Sequence, residues 1–188
     1  MKRSLLTVAP LTLLALAACG TKTTAGNQPR ESQTERSAMA TLNLTSDDIR
    51  NGQPIAARFT CDGAGDSPTL HWSDPPAGTK SFALVVDDPD APSGTFRHWG
   101  VFDIPASARS TGGETRAGTE VANDFGKPGY GGPCPPRGGG PHHYHFKVFA
   151  LDADRLGIAP GAKVKDVETA AAKHALASGE LVATYERQ

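Results

Sequence analysis

A stiff acidic turn is the first of three segments whose side chains could bind a charged ligand. The sequence Asp87-Asp88-Pro89-Asp90-Ala91-Pro92 follows an apolar run and places three carboxylates beside two prolines. Taken alone, it fits a solvated turn better than a site, because Asp is an ordinary turn residue that bonds its own backbone. The prolines restrict the turn, however, and would hold Asp88 and Asp90 in fixed directions, as a binding site requires.

The second segment is Arg97-His98-Trp99-Gly100. A single histidine in a predicted strand is more often structural than functional. His98 follows Asp88 by only ten residues, however, which is the distance at which one strand can return beside its neighbour. A hydrogen bond from His98 to an aspartate would raise the pKa of the imidazole and fix its tautomer, so that His98 would pair well with an anion.

The third segment is rich in glycine and proline and runs directly into a histidine-rich strand. Twelve of the 16 residues in 126–141 are Gly or Pro, and His142-His143-Tyr144-His145-Phe146 follows them. Such a composition is typical of a flexible linker, but this segment lies between two predicted strands. Glycines allow backbone N–H groups to turn towards an anion, and prolines keep the loop from collapsing. The segment lacks the Gly-Lys-Ser/Thr ending of a nucleotide-binding P-loop.

The first 40 residues predict export and a lipid anchor rather than a folded domain. Residues 1–18 begin with two basic side chains and continue with a mostly apolar run that is too short to span a bilayer, as in a signal peptide. The order Leu16-Ala17-Ala18-Cys19-Gly20 resembles the lipobox of bacterial lipoproteins, in which the cysteine thiol receives a diacylglycerol; a plain secretory signal is the alternative. We therefore expect an anchor at Cys19 in the cell membrane or outer membrane, facing outside the cytoplasm, and a polar tether over 19–40.

Residues 41–188 have the composition of one soluble domain. The chain is 38% apolar and 21% charged with a formal net charge of −1, so it has no basic surplus with which to bind nucleic acid. Cys61 and Cys134 remain once Cys19 is lipidated. Two unpaired, partly buried thiols are one interpretation of this pair. We favour a disulfide, because such bonds persist outside the cytoplasm.

Alternating and continuous apolar segments predict a mostly β domain. Strands are expected at 55–60, 70–72, 81–86, 95–104, 143–151 and 180–185. The run 81–86 is apolar enough to be covered on both faces. One helix is expected over 166–178, closed by Gly179. Because strands dominate, we expect two packed sheets with one or two helices at their edge.

Metal binding and hydrolysis have weaker support than anion binding. His143 and His145 would share one face of a strand, but no Glu or Cys lies nearby at a spacing typical of metal ligands. No Gly-x-Ser-x-Gly motif provides a serine nucleophile. Cys134 could imitate a thiol nucleophile, but pairing with Cys61 would leave no thiolate. We therefore expect a protein that is not an enzyme and that uses no metal or cofactor.

The order of the short motifs along the chain is also informative. The segments are Thr60-Cys61-Asp62-Gly63, Ser67-Pro68, Leu70-His71-Trp72, Asp88-Pro89-Asp90-Ala91-Pro92, His98-Trp99, Asn123-Asp124-Phe125-Gly126, Gly131-Gly132-Pro133-Cys134-Pro135-Pro136, His142-His143-Tyr144-His145-Phe146 and Leu181-Val182-Ala183-Thr184-Tyr185. Together they resemble the phosphatidylethanolamine-binding protein family, in its bacterial Raf-kinase-inhibitor-like branch, over roughly the whole predicted domain. Each segment alone is weak, but Asp-Pro-Asp-Ala-Pro followed by Cys-Pro-Pro and His-x-Tyr is specific.

The resemblance implies a β-sandwich of two antiparallel sheets with peripheral helices. It also implies a small cavity at one end that binds phosphate-like anions or a phospholipid headgroup. The residues that would form this pocket are Asp88, His98, Gly132, Pro135, Pro136, His142 and Tyr144. Within the pocket, Asp88 would orient His98 rather than face the anion alone, because a bare carboxylate repels an anion.

The expected function is that of an envelope lipoprotein that binds a small anion or a phosphorylated headgroup, with a role as regulator or inhibitor of another protein left open. One alternative is an interaction module in which the proline-rich loop docks into the cleft of a protease. A less favoured alternative is a hydrolase in which His98 or His142 acts as general base and Asp88 orients it.

Overall fold

The computed structural model describes residues 39–115 and 117–188. The predicted signal peptide (1–18), the predicted lipidation site Cys19 and nearly all of the predicted tether lie outside these residues. Within the described residues, no helix is both long and apolar enough to cross a membrane.

The described part of the chain forms two β-sheets, an α-helix and a short 3-10 helix. The larger sheet contains β1 (Ala40–Thr41), β4 (Ser81–Asp88), β5 (Phe96–Pro105), β7 (Thr119–Glu120), β8 (His142–Leu151) and β9 (Ala175–Tyr185). The smaller sheet contains β2 (Asn43–Ser46), β3 (Leu70–Ser73) and β6 (Ser110–Thr111). The helices are the 3-10 helix Ala57–Phe59 and α1 (Val164–His174).

The strand order is β1-β9-β8-β4-β5-β7 in the larger sheet and β2-β3-β6 in the smaller one. Neighbouring strands are antiparallel, apart from the short β1, which pairs parallel to β9. The predicted mostly β fold, with two packed sheets and a helix at the edge, is therefore confirmed.

Strand β4 is buried along its whole length. It pairs with β5 on one side and with β8 on the other. Because successive side chains alternate in direction, one set faces the core between the sheets, where the ring centroids of Phe82 and Trp72 are 5.2 Å apart. The other set, which includes Val85, packs with Val164 and Val167 of α1 in a second core. The prediction that this strand is covered on both faces is confirmed.

The helix ends earlier than the sequence predicts. The alanine-rich pattern predicts a helix over 166–178, but α1 spans Val164–His174 and the chain continues directly into β9. Ala177 pairs with β8 on one side and with β1 on the other, so sheet pairing overrides helix propensity there. The predicted role of Gly179 as a helix cap is wrong. Gly179 lies in β9, where an added Cβ would be 2.8 Å from the carbonyl oxygen of Leu42.

The strand predicted over 55–60 is wrong. The chain forms a 3-10 helix there, and Thr60 donates its N–H to the first helical carbonyl over 2.9 Å. The buried apolar side chains are Ile55 and Phe59, which are four residues apart. The three residues between them, 56–58, are exposed, including Ala57, which an alternating strand would bury. The apparent alternation in the sequence therefore reflects a helical turn.

A disulfide joins Cys61 to Cys134, whose Cα atoms are 5.4 Å apart. The sequence left open whether these cysteines form a disulfide or remain unpaired thiols, and the structure has the disulfide. The bond ties the loop after the 3-10 helix to the Gly/Pro-rich loop, and Cys61 also donates its N–H to the carbonyl of Pro133 over 3.0 Å. The two cysteines are 73 residues apart in sequence, so the bond removes much loop entropy from the unfolded chain.

We expect the double variant Cys61→Ser/Cys134→Ser to lose about 2–4 kcal/mol of its free energy of unfolding, because the unfolded chain regains the entropy of a long open loop. Urea unfolding of the full-length protein measures this loss. Dithiothreitol should bring the wild type to the stability of the variant and leave the variant unchanged. Equal unfolding midpoints for the oxidised wild type and the variant would contradict the expectation.

Candidate functional site

A cavity of about 200 Å³ lies at the end of the larger sheet where β4 ends and where β5 and β8 begin. Its lining residues are Asp88, Ala91, Pro92, Phe96, His98, Phe125, Cys134, Pro135, Pro136 and His142. Five of the seven residues predicted for the pocket are among them. The strand ends and the two loops that the sequence singled out therefore meet at one place.

A β-bulge places His98 in this cavity. The residues on either side of His98 pair with Asp87 and Val86, which are consecutive in β4, so that His98 is an extra residue without a partner there. A bulge bends its strand and re-aims the extra side chain. The imidazole of His98 packs edge-on against Tyr144, with ring centroids 5.2 Å apart.

Two hydrogen bonds connect His98 to the Gly/Pro-rich loop. Gly131 donates its N–H to the carbonyl of His98 over 2.8 Å, and Nδ1 of the imidazole lies 2.7 Å from the carbonyl oxygen of Gly131. A carbonyl oxygen can only accept, so Nδ1 carries a hydrogen. Burial lowers the pKa of His98, although the bond to Gly131 and the charges of Asp88 and Asp124 act in the opposite direction. At pH 7 the imidazole is therefore neutral and its Nε2 is an acceptor.

The predicted hydrogen bond between Asp88 and His98 is wrong, because Asp88 binds His142 instead. Nδ1 of His142 lies 2.7 Å from Oδ2 of Asp88, and both side chains are buried. The other carboxylate oxygen of Asp88 accepts the N–H of Asp90 over 2.9 Å. The bulge explains the difference, since it directs His98 to Gly131 while β8 brings His142 beside the end of β4. The predicted rise in the pKa of His98 is also wrong, because burial lowers this pKa and outweighs the charge of Asp88.

Gly132 and Tyr144, the other two predicted pocket residues, stand behind the cavity wall. An added Cβ on Gly132 would be 2.8 Å from the carbonyl oxygen of Phe59, so the absence of a side chain allows the loop to pack against the 3-10 helix. The hydroxyl of Tyr144 is buried and forms no hydrogen bond of good geometry within the described residues. Burial and the neighbouring Asp88 carboxylate raise the pKa of Tyr144, which stays neutral.

Two phenylalanines that the pocket prediction missed form an aromatic side of the cavity. The rings of Phe96 and Phe125 have centroids 5.0 and 5.5 Å from that of His98. Phe125 is 44% exposed. The buried Asn123 shapes its loop by accepting the N–H of Phe125 over 3.0 Å and donating to the carbonyl of Gly129 over 2.9 Å. An aromatic residue next to a glycine-rich turn is the sequence signal that could have identified Phe125.

Two arginines place positive charge beside the cavity wall. Arg187 donates from Nε and Nη2 to the carboxylate of Asp62, with a shortest distance of 3.0 Å, and Arg137 lies 3.7 Å from the same carboxylate. Nη1 of Arg187 is also 3.5 Å from Sγ of Cys134, which lines the cavity. Hydrogen bonds from Arg187 and Tyr185 hold the pKa of Asp62 below its usual value. Arg137 also donates to the main-chain oxygen of Gln188, so both guanidinium groups have acceptors beside this wall.

A larger depression of about 630 Å³ lies elsewhere on the domain and has a mostly acidic lining. Its charged residues are Asp48, Arg58, Asp66, Glu114 and Glu120. Four carboxylates and one guanidinium disfavour an anion, and the predicted pocket residues line the smaller cavity. We therefore take the smaller cavity as the candidate site.

The comparison with known proteins agrees with the motifs. Residues 45–186 match the phosphatidylethanolamine-binding protein family. The chain belongs to this family. The matched range includes every residue that lines the cavity, so the site described above lies wholly within the family's domain.

Relatives of this chain occur in several organisms. A protein named UPF0098 from Aquifex aeolicus is 48% identical over 154 residues, which cover 79% of this chain and 90% of that protein. The Mycobacterium tuberculosis protein named "Putative lipoprotein LppC" is 42% identical over 158 residues, which cover 83% of this chain and 78% of that protein. The crystal structure of Escherichia coli YbcL, described as a new member of the mammalian PEBP family, has a TM-score of 0.74 at 34% identity and covers 79% of this chain and 100% of that chain.

We expect His98 to titrate at a lower pH in the folded protein than in the same protein unfolded in urea, because burial disfavours the imidazolium. Long-range ¹H–¹⁵N NMR spectra follow the titration and also report the tautomer, which should carry its hydrogen on Nδ1. Since the unfolded chain then takes up the proton first, His98 should lower the free energy of unfolding as the pH falls through about 6.5. A folded-state pKa at or above the unfolded value would contradict this account.

Proposed function

We propose that the protein is an envelope lipoprotein that binds a small anion or a phosphorylated headgroup in the cavity at the ends of β4, β5 and β8. The observation that carries this proposal is the buried pair of His142 and Asp88, which lines the cavity. The bond from Nδ1 of His142 to the carboxylate of Asp88 fixes the orientation of this imidazole at the cavity.

The hydrogen bonds of Asp88 support this assignment. Its two carboxylate oxygens accept from His142 and from the backbone of Asp90. Both oxygens of the carboxylate are therefore hydrogen-bonded within the protein, so Asp88 would not repel an anion as an unpaired negative charge would. Arg187, which pairs with Asp62 and contacts Cys134, lies beside the same wall.

The size of the cavity favours a small group. At about 200 Å³, it lies below the range of about 300–1,000 Å³ that is typical of sites for drug-sized ligands. A phosphoryl group with a short substituent would fill it. An acyl chain of a phospholipid would have to remain outside, where the exposed ring of Phe125 and the exposed Pro136 form an apolar rim.

The replacement His142→Gln should weaken the binding of inorganic phosphate and of phosphoethanolamine by about 10-fold or more, because a charge-assisted hydrogen bond is lost. Isothermal titration calorimetry of the full-length protein measures both affinities. His143→Gln is the matched control, since the His143 side chain is half exposed and pairs with Asp90 rather than lining the cavity. Equal affinities for the two variants, or no heat of binding with the wild type, would overturn the proposal.

The proposed function is binding without turnover. Cys134 lines the cavity but is bonded to Cys61, so it offers no thiolate nucleophile. The neutral His98 would be the candidate base for the alternative, a hydrolase. Hydrolysis of p-nitrophenyl phosphate or p-nitrophenyl acetate that disappears in His98→Phe would replace the binding proposal with that alternative.

We propose that the chain is anchored through Cys19. The lipobox-like sequence and the lipoprotein name of the Mycobacterium tuberculosis relative support this. Cys19→Ser should abolish incorporation of a labelled fatty acid and shift the protein from the membrane fraction to the soluble fraction. The Cys61→Ser/Cys134→Ser variant is the control, because Cys19 is then its remaining cysteine and labelling should persist. Undiminished labelling of Cys19→Ser would rule out this anchor.

Inhibition of a protease is the second candidate function, and the stiff rim of the cavity is the observation that favours it. Pro92, Phe125 and Pro136 surround the opening, and a rigid loop loses little conformational entropy when it docks. Inhibition of serine proteases by the full-length protein, weakened in Phe125→Ala and unaffected by phosphate, would favour this function over anion binding.

A further inference from the structure

The Cys61–Cys134 disulfide lies at the surface of the domain rather than inside its core. Both cysteines are exposed, and Cys134 also lines the cavity of the candidate site. A thiol can therefore reach the bond while the protein stays folded. Exposed disulfides are in general easier to reduce than buried ones, and they include those that are opened and closed reversibly.

One of the two sulfurs has a cationic neighbour. Nη1 of Arg187 lies 3.5 Å from Sγ of Cys134. Nε and Nη2 of the same guanidinium donate to the carboxylate of Asp62 over 3.0 Å each, so the carboxylate holds the group in place and leaves Nη1 directed at the sulfur. Within residues 39–115 and 117–188, no side chain donates a hydrogen bond to Sγ of Cys61.

This difference gives the two sulfurs different roles in thiol–disulfide exchange. When a thiolate attacks one sulfur of a disulfide, the other sulfur leaves as a thiolate, and the exchange is faster when that thiolate is more stable. A neighbouring arginine stabilises a thiolate. Arg187 therefore favours the departure of Cys134, and this places the attack on Sγ of Cys61.

Two hydrogen bonds hold the bridged segments together independently of the disulfide. Cys61 donates its backbone N–H to the carbonyl of Pro133 over 3.0 Å, and the hydroxyl of Tyr130 donates to the carbonyl of Phe59 over 2.9 Å. Both bonds can persist when the sulfurs are reduced. The two thiols would then remain close to each other, so the disulfide can form again without a search by the chain.

We propose that the Cys61–Cys134 disulfide is a reversible redox site, at which a thiol attacks Sγ of Cys61 and Cys134 leaves as a thiolate stabilised by Arg187. The reductant is a protein dithiol. Its first sulfur forms a mixed disulfide with Cys61 as the bond to Cys134 breaks, and its second sulfur then displaces Cys61. Two electrons pass to the cysteine pair, the two protons of the dithiol end on Cys61 and Cys134, and the reductant becomes a disulfide.

The redox state of this pair would act on the candidate site. Cys134, Pro135 and Pro136 line the cavity, and the disulfide holds this part of the wall to the loop that follows the 3-10 helix. Reduction would remove that covalent link from the wall. The cavity would therefore be more rigid in the oxidised protein than in the reduced one.

Trapping the mixed disulfide tests which sulfur is attacked. The folded full-length protein is treated with reduced glutathione at about pH 8 and then alkylated with N-ethylmaleimide. Tryptic peptides 59–80 and 117–137 contain Cys61 and Cys134 respectively, so mass spectrometry locates the glutathione. It should be on Cys61 in about 3-fold or more excess over Cys134. Equal labelling, or an excess on Cys134, would overturn the assigned leaving group. Exchange that occurs only in urea would overturn the redox site itself.

A pair of arginine variants links the preference to Arg187. In Arg187→Gln the labelling ratio should fall close to one, because the cation beside Cys134 is lost. Arg137→Gln is the matched control, since Arg137 lies 3.7 Å from the same Asp62 carboxylate and forms no hydrogen bond with either sulfur; its ratio should equal that of the wild type. An unchanged ratio in Arg187→Gln, or an equal fall in both variants, would contradict the role of Arg187.

NMR spectra of the full-length protein test whether the site is reversible. Dithiothreitol should shift the ¹H–¹⁵N resonances of residues 59–63 and 131–137 and leave those of α1 in place, because the change is local to the bridged loops. Oxidised glutathione should then restore the original spectrum. Collapse of the spectrum on reduction, or failure to recover on reoxidation, would show a purely structural disulfide and would overturn the proposal.

Discussion

The reciprocal hydrogen bonds between His98 and Gly131 are the contact on which the candidate site depends. The backbone bond of 2.8 Å and the side-chain bond of 2.7 Å join the bulged strand β5 to the Gly/Pro-rich loop. Asn123 adds two bonds at the start of the same loop, and the disulfide at Cys134 fixes its middle. The Gly/Pro-rich loop, which has the composition of a flexible linker, is thereby held in place as one wall of the cavity. The entropy cost of ordering its glycines is offset by contacts made elsewhere in the chain.

The hydrogen-bond partners of Asp88 and His98 at this end of the core also determine their chemistry. Asp88 is 3% exposed and would be destabilising as an unpaired carboxylate, but it accepts from His142 and from a backbone N–H. His98 is equally buried and is bound to a neutral carbonyl instead, so burial is the larger influence and lowers its pKa. The two imidazoles of the cavity thus have different hydrogen-bond partners: His142 binds a carboxylate and His98 binds a peptide carbonyl.

The sequence predicted the elements that are defined by local patterns and missed those defined by pairing. The apolar run of β4 and the alternation of β8 predicted both strands correctly, and the motifs identified Asp88, His98 and His142 as residues that would meet. The position of the bulge depends on the register between β4 and β5, which local sequence does not encode. For that reason the partner of Asp88 was predicted wrongly. The short strands β1, β6 and β7 have two residues each, too few to show a period, and the end of α1 is set by the pairing of Ala177.

The two faces of β8 place its basic side chains in different surroundings. His143, His145 and Lys147 point away from the core, and each lies within 2.8 Å of one carboxylate, from Asp90, Glu180 and Asp87 respectively. These pairs, apart from the partly buried pair of Lys147 and Asp87, are at least partly exposed to solvent, which screens them. The inward residue His142 also has a carboxylate partner, but both side chains of that pair are buried and line the cavity. Because electrostatic interactions are stronger between buried groups than between exposed ones, the same strand carries three side chains whose carboxylate pairs lie at the surface and one whose pair lines the candidate site.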